Sequence, residues 1–325
     1  MTTKPPIIAL GYTWPDLAIE EEILGRHGYE MVDGRGLAAD DALWPKAAGV
    51  LLGTADRVDA ARLSSMPNCR GVVRYGIGYD NVDIAAAEEQ GKIVAIVRDY
   101  CIDEVAEHAL AFALSLARGL AHWDGDVRSG AWRRGERPRL RKLSSLNLGI
   151  IGFGLIGRAL AEKARGLFGT VSIHDPYANV SEADRAAGYV FVLALGDLLR
   201  EVDILSVHVP LTSGTKALIG AEELALMKPS ASVINVSRGG VVDEAVLLDA
   251  VKARRLFGAA LDTFVTEPLP ADGPFVAETH VQLSPHVAWL SEEAEIKLRE
   301  RASEELLLIL SGERPSTPVT RKIVD

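Results

Sequence analysis

The sequence has little cysteine and no excess of basic charge. Cys69 and Cys101 are the two cysteines among 325 residues, so no disulfide framework is expected and a reducing, cytoplasmic setting is favoured. With 35 basic and 45 acidic residues the formal net charge is −10, which argues against nucleic acid or an anionic membrane as the main partner. Cys101 precedes a predicted helix, where a reactive thiolate and an inert thiol are both conceivable.

Long hydrophobic runs are also missing. The most apolar helix candidate, residues 109–117, is bounded by His108 and Arg118 and falls well short of the ~20 residues that span a bilayer. The N-terminal segment has no cleavage pattern and is interpreted as a core strand, not a signal peptide. We therefore expect no membrane segment, and no metal site is predicted. A chain of 325 residues, 48% hydrophobic, is long enough for two domains.

The most informative segment is LGIIGFGLIGRALAEKARGLFGTVSIHD, residues 148–175. An apolar run of strand length leads into Gly152-x-Gly154-x-x-Gly157, and an amphipathic stretch follows. In this pattern the first glycine permits a tight turn, the second lets N–H groups approach a pyrophosphate, and the third lets a helix pack closely on the sheet. Asp175 follows a second apolar run, where its carboxylate can bind ribose hydroxyls and repel a 2′-phosphate. The segment predicts a Rossmann NAD-binding domain that prefers NAD to NADP.

Apolar runs of strand length alternate with stretches of helical period along the whole chain. This alternation predicts an α/β protein built from doubly wound parallel sheets. The predicted strands are 7–10, 49–52, 71–74, 92–97, 148–151, 171–174, 203–208, 232–236, 258–261 and 281–283. The predicted helices include 16–27, 82–90, 103–120, 157–167, 243–253 and 291–310, with Asp103 as an N-cap.

About 100 residues with a complete βα alternation precede the fingerprint, so they must form a layered unit of their own. We predict that residues 1–101 and 291–325 form a flavodoxin-like substrate-binding domain. Residues 102–290 are predicted to form the Rossmann NAD-binding domain, with a cleft between the two domains.

Ligands of open parallel sheets lie beyond the carboxyl ends of the strands. The residues that follow four predicted strands are the glycine turn Tyr75-Gly76-Ile77-Gly78, Arg238, Asp262 with Glu267, and His286. A glycine turn can present N–H groups to an anion. A guanidinium has the planar geometry that suits a carboxylate.

These residues lie in segments that resemble the D-isomer-specific 2-hydroxyacid dehydrogenase family, nearest to its branch of C-terminal-binding proteins and glycerate dehydrogenases. The segments, in family order, are RYGIGYDNVD (74–83), VAEH (105–108), GIIGFGLIGRALA (149–161), HVPLT (208–212), INVSRGGVVDE (234–244), LDTFVTEPLP (261–270) and SPHVAW (284–289). The resemblance implies a catalytic trio. Arg238 would bind the substrate carboxylate and carbonyl, His286 would transfer the proton, and Glu267 would pair with His286 and favour its imidazolium form.

The resemblance also implies binding residues. Those for the cofactor NAD are Gly152, Gly154, Leu155, Ile156, Gly157, Asp175, Val105, His208, Val209, Pro210, Val236 and Asp262. Those for the substrate are Arg74, Tyr75, Gly76, Ile77, Gly78 and Trp289. Aromatic pocket walls formed by Trp289 and Trp14 would favour a substrate with an apolar or thioether side chain. Trp14 fits a position in the hydrophobic core equally well.

We therefore expect an NAD-dependent D-2-hydroxyacid dehydrogenase, similar to hydroxypyruvate and glyoxylate reductases, that forms a homodimer through its NAD domain. One alternative is an NAD(H)-sensing corepressor-like binding protein, which the short segment after the last predicted helix disfavours. The other is a phosphoglycerate dehydrogenase without a regulatory domain. Glu267 disfavours a formate dehydrogenase, since those relatives have glutamine there, while phosphite oxidation stays open.

Overall fold

The computed structural model describes residues 4–132 and 140–321. The chain divides into two compact units, one of Met1–Cys101 with Ser291–Asp325 and one of Ile102–Leu290. Each unit contains one parallel sheet, of five strands in the first and seven in the second, so the predicted α/β class is confirmed. Residues 1–3 and 322–325, assigned above to the substrate domain, and residues 133–139, assigned to the NAD domain, lie outside the described residues.

The first unit has the strand order β2-β1-β3-β4-β5. Its strands, numbered along the chain, are β1 (Pro6–Leu10), β2 (Glu30–Asp33), β3 (Gly49–Leu52), β4 (Gly71–Arg74) and β5 (Ile93–Ile96). Its helices are α1 (Ala18–Arg26), α2 (Ala60–Ser65), α3 (Ile84–Glu89) and α11 (Glu292–Ser311), and a 3-10 turn covers Trp44–Lys46. Strands β3, β4 and β5 are buried at every residue, which is typical of parallel strands covered on both faces.

Helix α11 packs directly on this sheet. A Cβ at Gly49 would stand 2.8 Å from Leu306 Cδ1, and a Cβ at Gly71 would stand 2.8 Å from Ile309 Cγ2. The helix begins after Ser291, whose side chain accepts the N–H of Ala294 at 2.9 Å. A helix near the end of the chain therefore covers a sheet whose five strands all lie before residue 97.

The second unit has the strand order β12-β11-β10-β9-β6-β7-β8, and all recorded pairs are parallel. Its strands are β6 (Asn147–Ile151), β7 (Thr170–His174), β8 (Val190–Phe191), β9 (Ile204–Val207), β10 (Ser232–Asn235), β11 (Gly258–Leu261) and β12 (Val281–Leu283). Its helices are α4 (Ile102–Arg118), α5 (Leu120–Arg128), α6 (Leu155–Ala164), α7 (Glu182–Ala186), α8 (Leu195–Glu201), α9 (Ala221–Leu226) and α10 (Glu244–Lys252), and a 3-10 turn covers Leu143–Ser145. The strand order reverses between β6 and β9, which is where such sheets bind ligands.

Several predicted element ends were wrong. Helix α4 begins at Ile102, so Asp103 lies in its first turn, where it pairs with Lys163 at 2.9 Å and does not cap the helix. The same helix ends at Arg118 and not at residue 120, because Gly119 adopts a left-handed conformation with φ +61° and a new helix follows. Helix α6 begins at Leu155, two residues before the predicted start at Gly157.

No helix among residues 4–132 and 140–321 combines the length and apolarity needed to cross a bilayer. Within the same ranges, no three His, Cys, Asp or Glu side chains are grouped so that they could hold a metal ion. Cys69 and Cys101 are both buried and form no disulfide in the described part of the chain. Burial raises the pKa of the Cys69 thiol to about 11.

Candidate active site

The glycine fingerprint forms the loop between β6 and α6. Gly152 has φ +93°, and a Cβ there would stand 2.6 Å from the His208 carbonyl oxygen. A Cβ on Gly157 would stand 2.0 Å from the Gly152 carbonyl oxygen, so the third glycine lets α6 contact the loop. A Cβ on Gly154 would have no heavy atom of the described residues within 4 Å. The loop is therefore tightly packed on its protein side and open at Gly154.

Helix α6 has Gly154 as its N-cap, with no side-chain cap. The first N–H groups of the helix, at Leu155 and Ile156, lack the carbonyl partner that later turns provide, so they are suited to bind a pyrophosphate. Asp175 follows β7 beside this loop. Its carboxylate accepts the N–H of Phe153 at 2.8 Å and that of Tyr177 at 2.9 Å, which fixes its orientation.

The other predicted cofactor residues belong to the second unit as well. His208, Val209 and Pro210 directly follow β9, and the Nε2 atom of His208 lies 2.8 Å from the Ser206 hydroxyl. Burial lowers the pKa of His208 to about 4, so the ring is neutral near pH 7. Val236, directly after β10, and Val105, on α4, are buried.

Two predicted catalytic residues are in direct contact. His286 Nδ1 lies 2.8 Å from Glu267 Oε2, and Glu267 Oε1 accepts the Phe264 N–H at 2.9 Å. Burial acts to raise the pKa of Glu267, but the hydrogen bonds from His286 and Phe264 and the charges of His286 and Arg238 outweigh it and leave that pKa lowered. His286 has φ +56°, a left-handed conformation that is uncommon for a residue other than glycine.

Asp262 explains how this unusual backbone is held. It is buried, and its carboxylate accepts the hydroxyl of Ser284 and the N–H groups of Val287 and Ala288, the latter two at 2.9 and 3.0 Å. Its carbonyl oxygen accepts the His286 N–H at 2.8 Å. Asp262 thus binds the chain on both sides of His286, a role that the sequence did not indicate.

Arg238 lies in a turn after β10 that Asn235 stabilises. The Asn235 amide donates to the Arg238 carbonyl at 2.8 Å, and its oxygen accepts the hydroxyl of Ser237 at 2.8 Å. Arg238 is partly buried, and one guanidinium N–H donates to the Ser237 carbonyl at 2.6 Å. Asn235 was missed by sequence reasoning, although it is the next-to-last residue of the predicted strand 232–236 and so lies near the expected edge.

Two further polar residues near this edge were also missed. His108 on α4 contacts the Ser284 hydroxyl through Nε2 at 3.0 Å, and Glu244 at the start of α10 accepts the Val265 N–H at 2.7 Å. Both terminate matching segments quoted above, VAEH and INVSRGGVVDE. Their place in those segments was the available signal.

The predicted substrate residues of the first unit lie at the end of β4. Arg74 is its last residue and is buried, and Tyr75 is buried with its hydroxyl donating to Glu20 at 2.9 Å. The Tyr75 N–H donates to the Leu52 carbonyl, so this group is not available to a ligand. The described part of the chain offers no recorded acceptor for the N–H groups of Gly76, Ile77 and Gly78, and Gly76 has φ +121°.

The two tryptophans proposed as pocket walls differ in environment. Trp14 is buried in the first unit, with its ring edge-on to Tyr75 at 4.7 Å between centroids and tilted against Tyr12 at 5.6 Å. This supports the core position for Trp14. Trp289 belongs to the second unit, three residues after His286, and is partly exposed.

The chain is similar to known proteins over most of its length. The family model described as D-isomer specific 2-hydroxyacid dehydrogenase, NAD binding domain, matches residues 110–288. Glyoxylate reductase of Thermococcus litoralis is 37% identical over 275 residues, which is 83% of this chain and 82% of that protein.

Two other known proteins are also similar to this chain. D-3-phosphoglycerate dehydrogenase of Mycobacterium tuberculosis (strain H37Rv) is 36% identical over 83% of this chain, which spans only 50% of that longer protein. The crystal structure of D-lactate dehydrogenase from Aquifex aeolicus, complexed with NAD and lactic acid, has a TM-score of 0.83 and 25% identity. That similarity covers 94% of this chain and 96% of the other.

Proposed function

The chain belongs to the D-isomer specific 2-hydroxyacid dehydrogenase family, and we propose that it reduces a 2-oxo acid to a D-2-hydroxy acid with NADH, or catalyses the reverse reaction. The observation that carries the proposal is the 2.8 Å contact between His286 and Glu267. A paired imidazole and carboxylate at the carboxyl edge of a nucleotide-binding sheet form a proton-transfer device. A protein that only senses NAD(H) has no need of one.

In the proposed reaction His286 gives its proton to the oxygen that develops negative charge during reduction. Glu267 accepts a hydrogen bond from His286 Nδ1 and so stabilises the imidazolium before transfer. Arg238 orients the substrate through its carboxylate and polarises the ketone, since its planar guanidinium binds two oxygens. In the reverse direction, neutral His286 accepts the hydroxyl proton.

The second unit is suited to NAD. When bound, NAD(H) supplies or accepts the hydride at C2 of the substrate. The open space at Gly154 and the first N–H groups of α6, at Leu155 and Ile156, would accommodate and bind the pyrophosphate. Asp175 would bind the ribose hydroxyls, and its negative charge would disfavour a 2′-phosphate.

For the substrate carboxylate we propose the N–H groups of Gly76, Ile77 and Gly78, with Arg74 as a helper. Successive N–H groups in such a turn form an anion-binding concavity. Tyr75 would act by fixing this turn, because its side chain is buried and bonded to Glu20. Trp289 stays the proposed contact of the substrate side chain.

Among substrates, glyoxylate comes first because the relative from T. litoralis is named a glyoxylate reductase. Hydroxypyruvate is a candidate through the family resemblance. Larger 2-oxo acids with apolar or thioether side chains stay candidates through Trp289. 3-Phosphohydroxypyruvate also stays a candidate, since the M. tuberculosis relative is named D-3-phosphoglycerate dehydrogenase, but this chain matches only half of that protein's length.

We also propose a cytoplasmic homodimer that associates through the second unit. Apolar side chains are exposed on and after α5, at Leu120 (56%), Val127 (55%) and Trp132 (70%), and such a patch is typical of a contact surface. The two buried cysteines suit a reducing compartment. Light scattering of the wild type and of Val127→Glu tests the dimer, which the charged variant should weaken.

The decisive experiment follows NADH oxidation with glyoxylate, pyruvate, hydroxypyruvate, 3-phosphohydroxypyruvate and branched, thioether and aromatic 2-oxo acids. His286→Ala should abolish turnover, while His27→Ala, at the exposed end of α1, should leave it unchanged. Tight NADH binding without turnover of any acid would overturn the proposal in favour of a sensing protein.

A further inference from the structure

Glu244 binds the loop that carries Glu267. The Glu244 Oε1 atom accepts the Val265 N–H at 2.7 Å, and the preceding N–H, that of Phe264, donates to Glu267 at 2.9 Å. Two consecutive amides of one loop therefore hold two carboxylates. The position of Glu267 depends on the conformation of this loop, and Glu244 restrains it one residue away from the bond that anchors Glu267.

Glu244 also interacts with the turn after β10, which carries Arg238. The backbone N–H of Gly240 in that turn is close enough to the Glu244 carboxylate to lower its pKa. The turn itself touches the loop, since a Cβ at Gly239 would stand 2.0 Å from the carbonyl carbon of Phe264. The two segments are thus in backbone contact, and the Glu244 carboxylate is bonded to the loop and lies close to the Gly240 N–H of the turn.

Charged groups also surround Glu244 and Glu267. Burial raises the pKa of Glu244, and the negative charges of Glu267 and Asp243 raise it as well, against the lowering effect of two backbone N–H groups. The positive charges of Arg238 and of protonated His286 act on Glu267 in the opposite sense and lower its pKa. Ionised Glu244 therefore adds negative charge to the surroundings of the proton-transfer pair.

We propose that Glu244 is a positioning residue of the reaction, which keeps the turn of Arg238 in register with the loop of Glu267 and contributes a second negative charge to the site. The inference rests on the proposed function, because Arg238 and Glu267 are the groups that it positions. Glu244 acts through these two side chains.

Two substitutions separate the geometric role from the electrostatic one. Glu244→Ala removes the acceptor, so we expect kcat for 2-oxo acid reduction to fall about tenfold or more, while KM for NADH changes little. Glu244→Gln keeps an acceptor oxygen, so kcat near neutral pH should be largely retained. Its alkaline limb for reduction should move to lower pH, because the loss of a nearby negative charge destabilises the imidazolium of His286.

A matched control is available in α11. Glu292 occupies the first position of that helix, as Glu244 does in α10, and is exposed. Glu292→Ala and Glu292→Gln reproduce the loss of a first-turn acid from a helix. Both control variants should keep the kcat and the pH profile of the wild type.

Hydrogen exchange gives a readout that needs no activity. Glu244→Ala should accelerate exchange in the peptide that covers residues 258–268, whereas Glu244→Gln and Glu292→Ala should not. An inactive wild type would overturn the proposed function and not the restraint on the loop. Wild-type kcat, pH profile and exchange in Glu244→Ala would overturn the inference. If the alanine variant does not fold, an unshifted pH profile in Glu244→Gln overturns it.

Discussion

The carbonyl oxygen of Gly152 lies 2.0 Å from the point that a Cβ on Gly157 would occupy. The described residues leave the corresponding point on Gly154 without a heavy atom within 4 Å. Two glycines of one motif are therefore under different structural constraints. Gly157 is required by the packing of the protein, whereas we propose that Gly154 is required by the cofactor.

Alanine substitutions should separate these constraints. Gly157→Ala forces α6 away from the loop, so we expect a lower thermal midpoint without cofactor and weaker NADH binding. Gly154→Ala fits the backbone and should keep the midpoint, but its methyl group takes the space of the pyrophosphate and should weaken NADH binding about tenfold or more. Thermal unfolding and NADH fluorescence titration measure both effects. Wild-type NADH affinity in Gly154→Ala would contradict the assignment of this loop.

Replacing Glu267 by glutamine should impair proton transfer and spare cofactor binding. The amide can still contact His286 but lacks the charge that stabilises the imidazolium, so reduction at pH 8 should slow by about 10²-fold, within the usual range for acid–base groups. The NADH dissociation constant should stay within about twofold, as expected when an interaction acts in the reaction step. Stopped-flow turnover and fluorescence titration give the two values. Equal losses in both would indicate a structural role instead.

The buried ion pair of the first unit should make a large contribution to stability. Arg299 donates to Glu20 at 2.8 Å, and both side chains are almost wholly buried. Arg299→Met leaves the Glu20 charge buried without its partner, which should lower the free energy of unfolding by about 3–5 kcal/mol. Urea unfolding measures the loss.

Two companion variants make this test specific. Adding Glu20→Gln to Arg299→Met removes the stranded charge and should restore part of the stability. Arg301→Met breaks an exposed pair with Glu304 on the same helix and should change stability little. Similar losses in Arg299→Met and Arg301→Met would contradict the role of burial.

His208 should make stability depend on pH below neutrality. Its pKa is about 4 in the folded protein against an ordinary value of 6.5, so between these values the unfolded chain binds a proton that the folded protein does not. Stability from this group is therefore complete above pH 6.5 and is lost as the pH falls towards 4. The thermal midpoint of His208→Gln should fall less steeply over this window than those of the wild type and of His27→Gln. Parallel curves would show that His208 does not titrate as stated.

Asp175 should determine the choice between NADH and NADPH. Asp175→Asn keeps an acceptor but removes the charge that repels a 2′-phosphate, so the ratio of kcat/KM for NADH to that for NADPH should fall about tenfold or more. Steady-state kinetics with both cofactors measure this ratio. Asp197→Asn, which loses an exposed partner of Arg200, is the control and should leave it unchanged. An unchanged ratio in Asp175→Asn would assign the preference to other residues.

The sequence predicted the two parallel sheets because their central strands are short, apolar and covered on both faces, as in Gly49–Leu52 and Ile204–Val207. It missed Glu30–Asp33, an edge strand with two charged ends and no buried residue. It also missed short helices such as Ala60–Ser65, whose six residues are too few to establish a period. Elements with one exposed face or fewer than two turns carry too little hydrophobic pattern.

Site prediction was limited in a different way. Strand ends and family resemblance singled out Glu267 and His286, which contact each other at 2.8 Å. Residues that act through backbone bonds, such as Asn235 and Glu244, have no signature of their own. A carboxylate that follows a helix N-cap has the pattern of a surface acid until the loop packed against it is known.

Glu20 and Arg299 are separated by 279 positions in the chain, yet they form one buried pair. During translation Glu20 is synthesised early, and Arg299 is synthesised only when most of the polypeptide has been made. The unit of Ile102–Leu290 is continuous and can fold during synthesis, whereas the first unit has to wait for α11. Until then the faces of β3 and β4 that Leu306 and Ile309 cover stay open to solvent. Premature termination of translation would therefore leave a folded second unit attached to an incomplete first unit with exposed apolar surface. Chaperones and proteases would bind that incomplete unit.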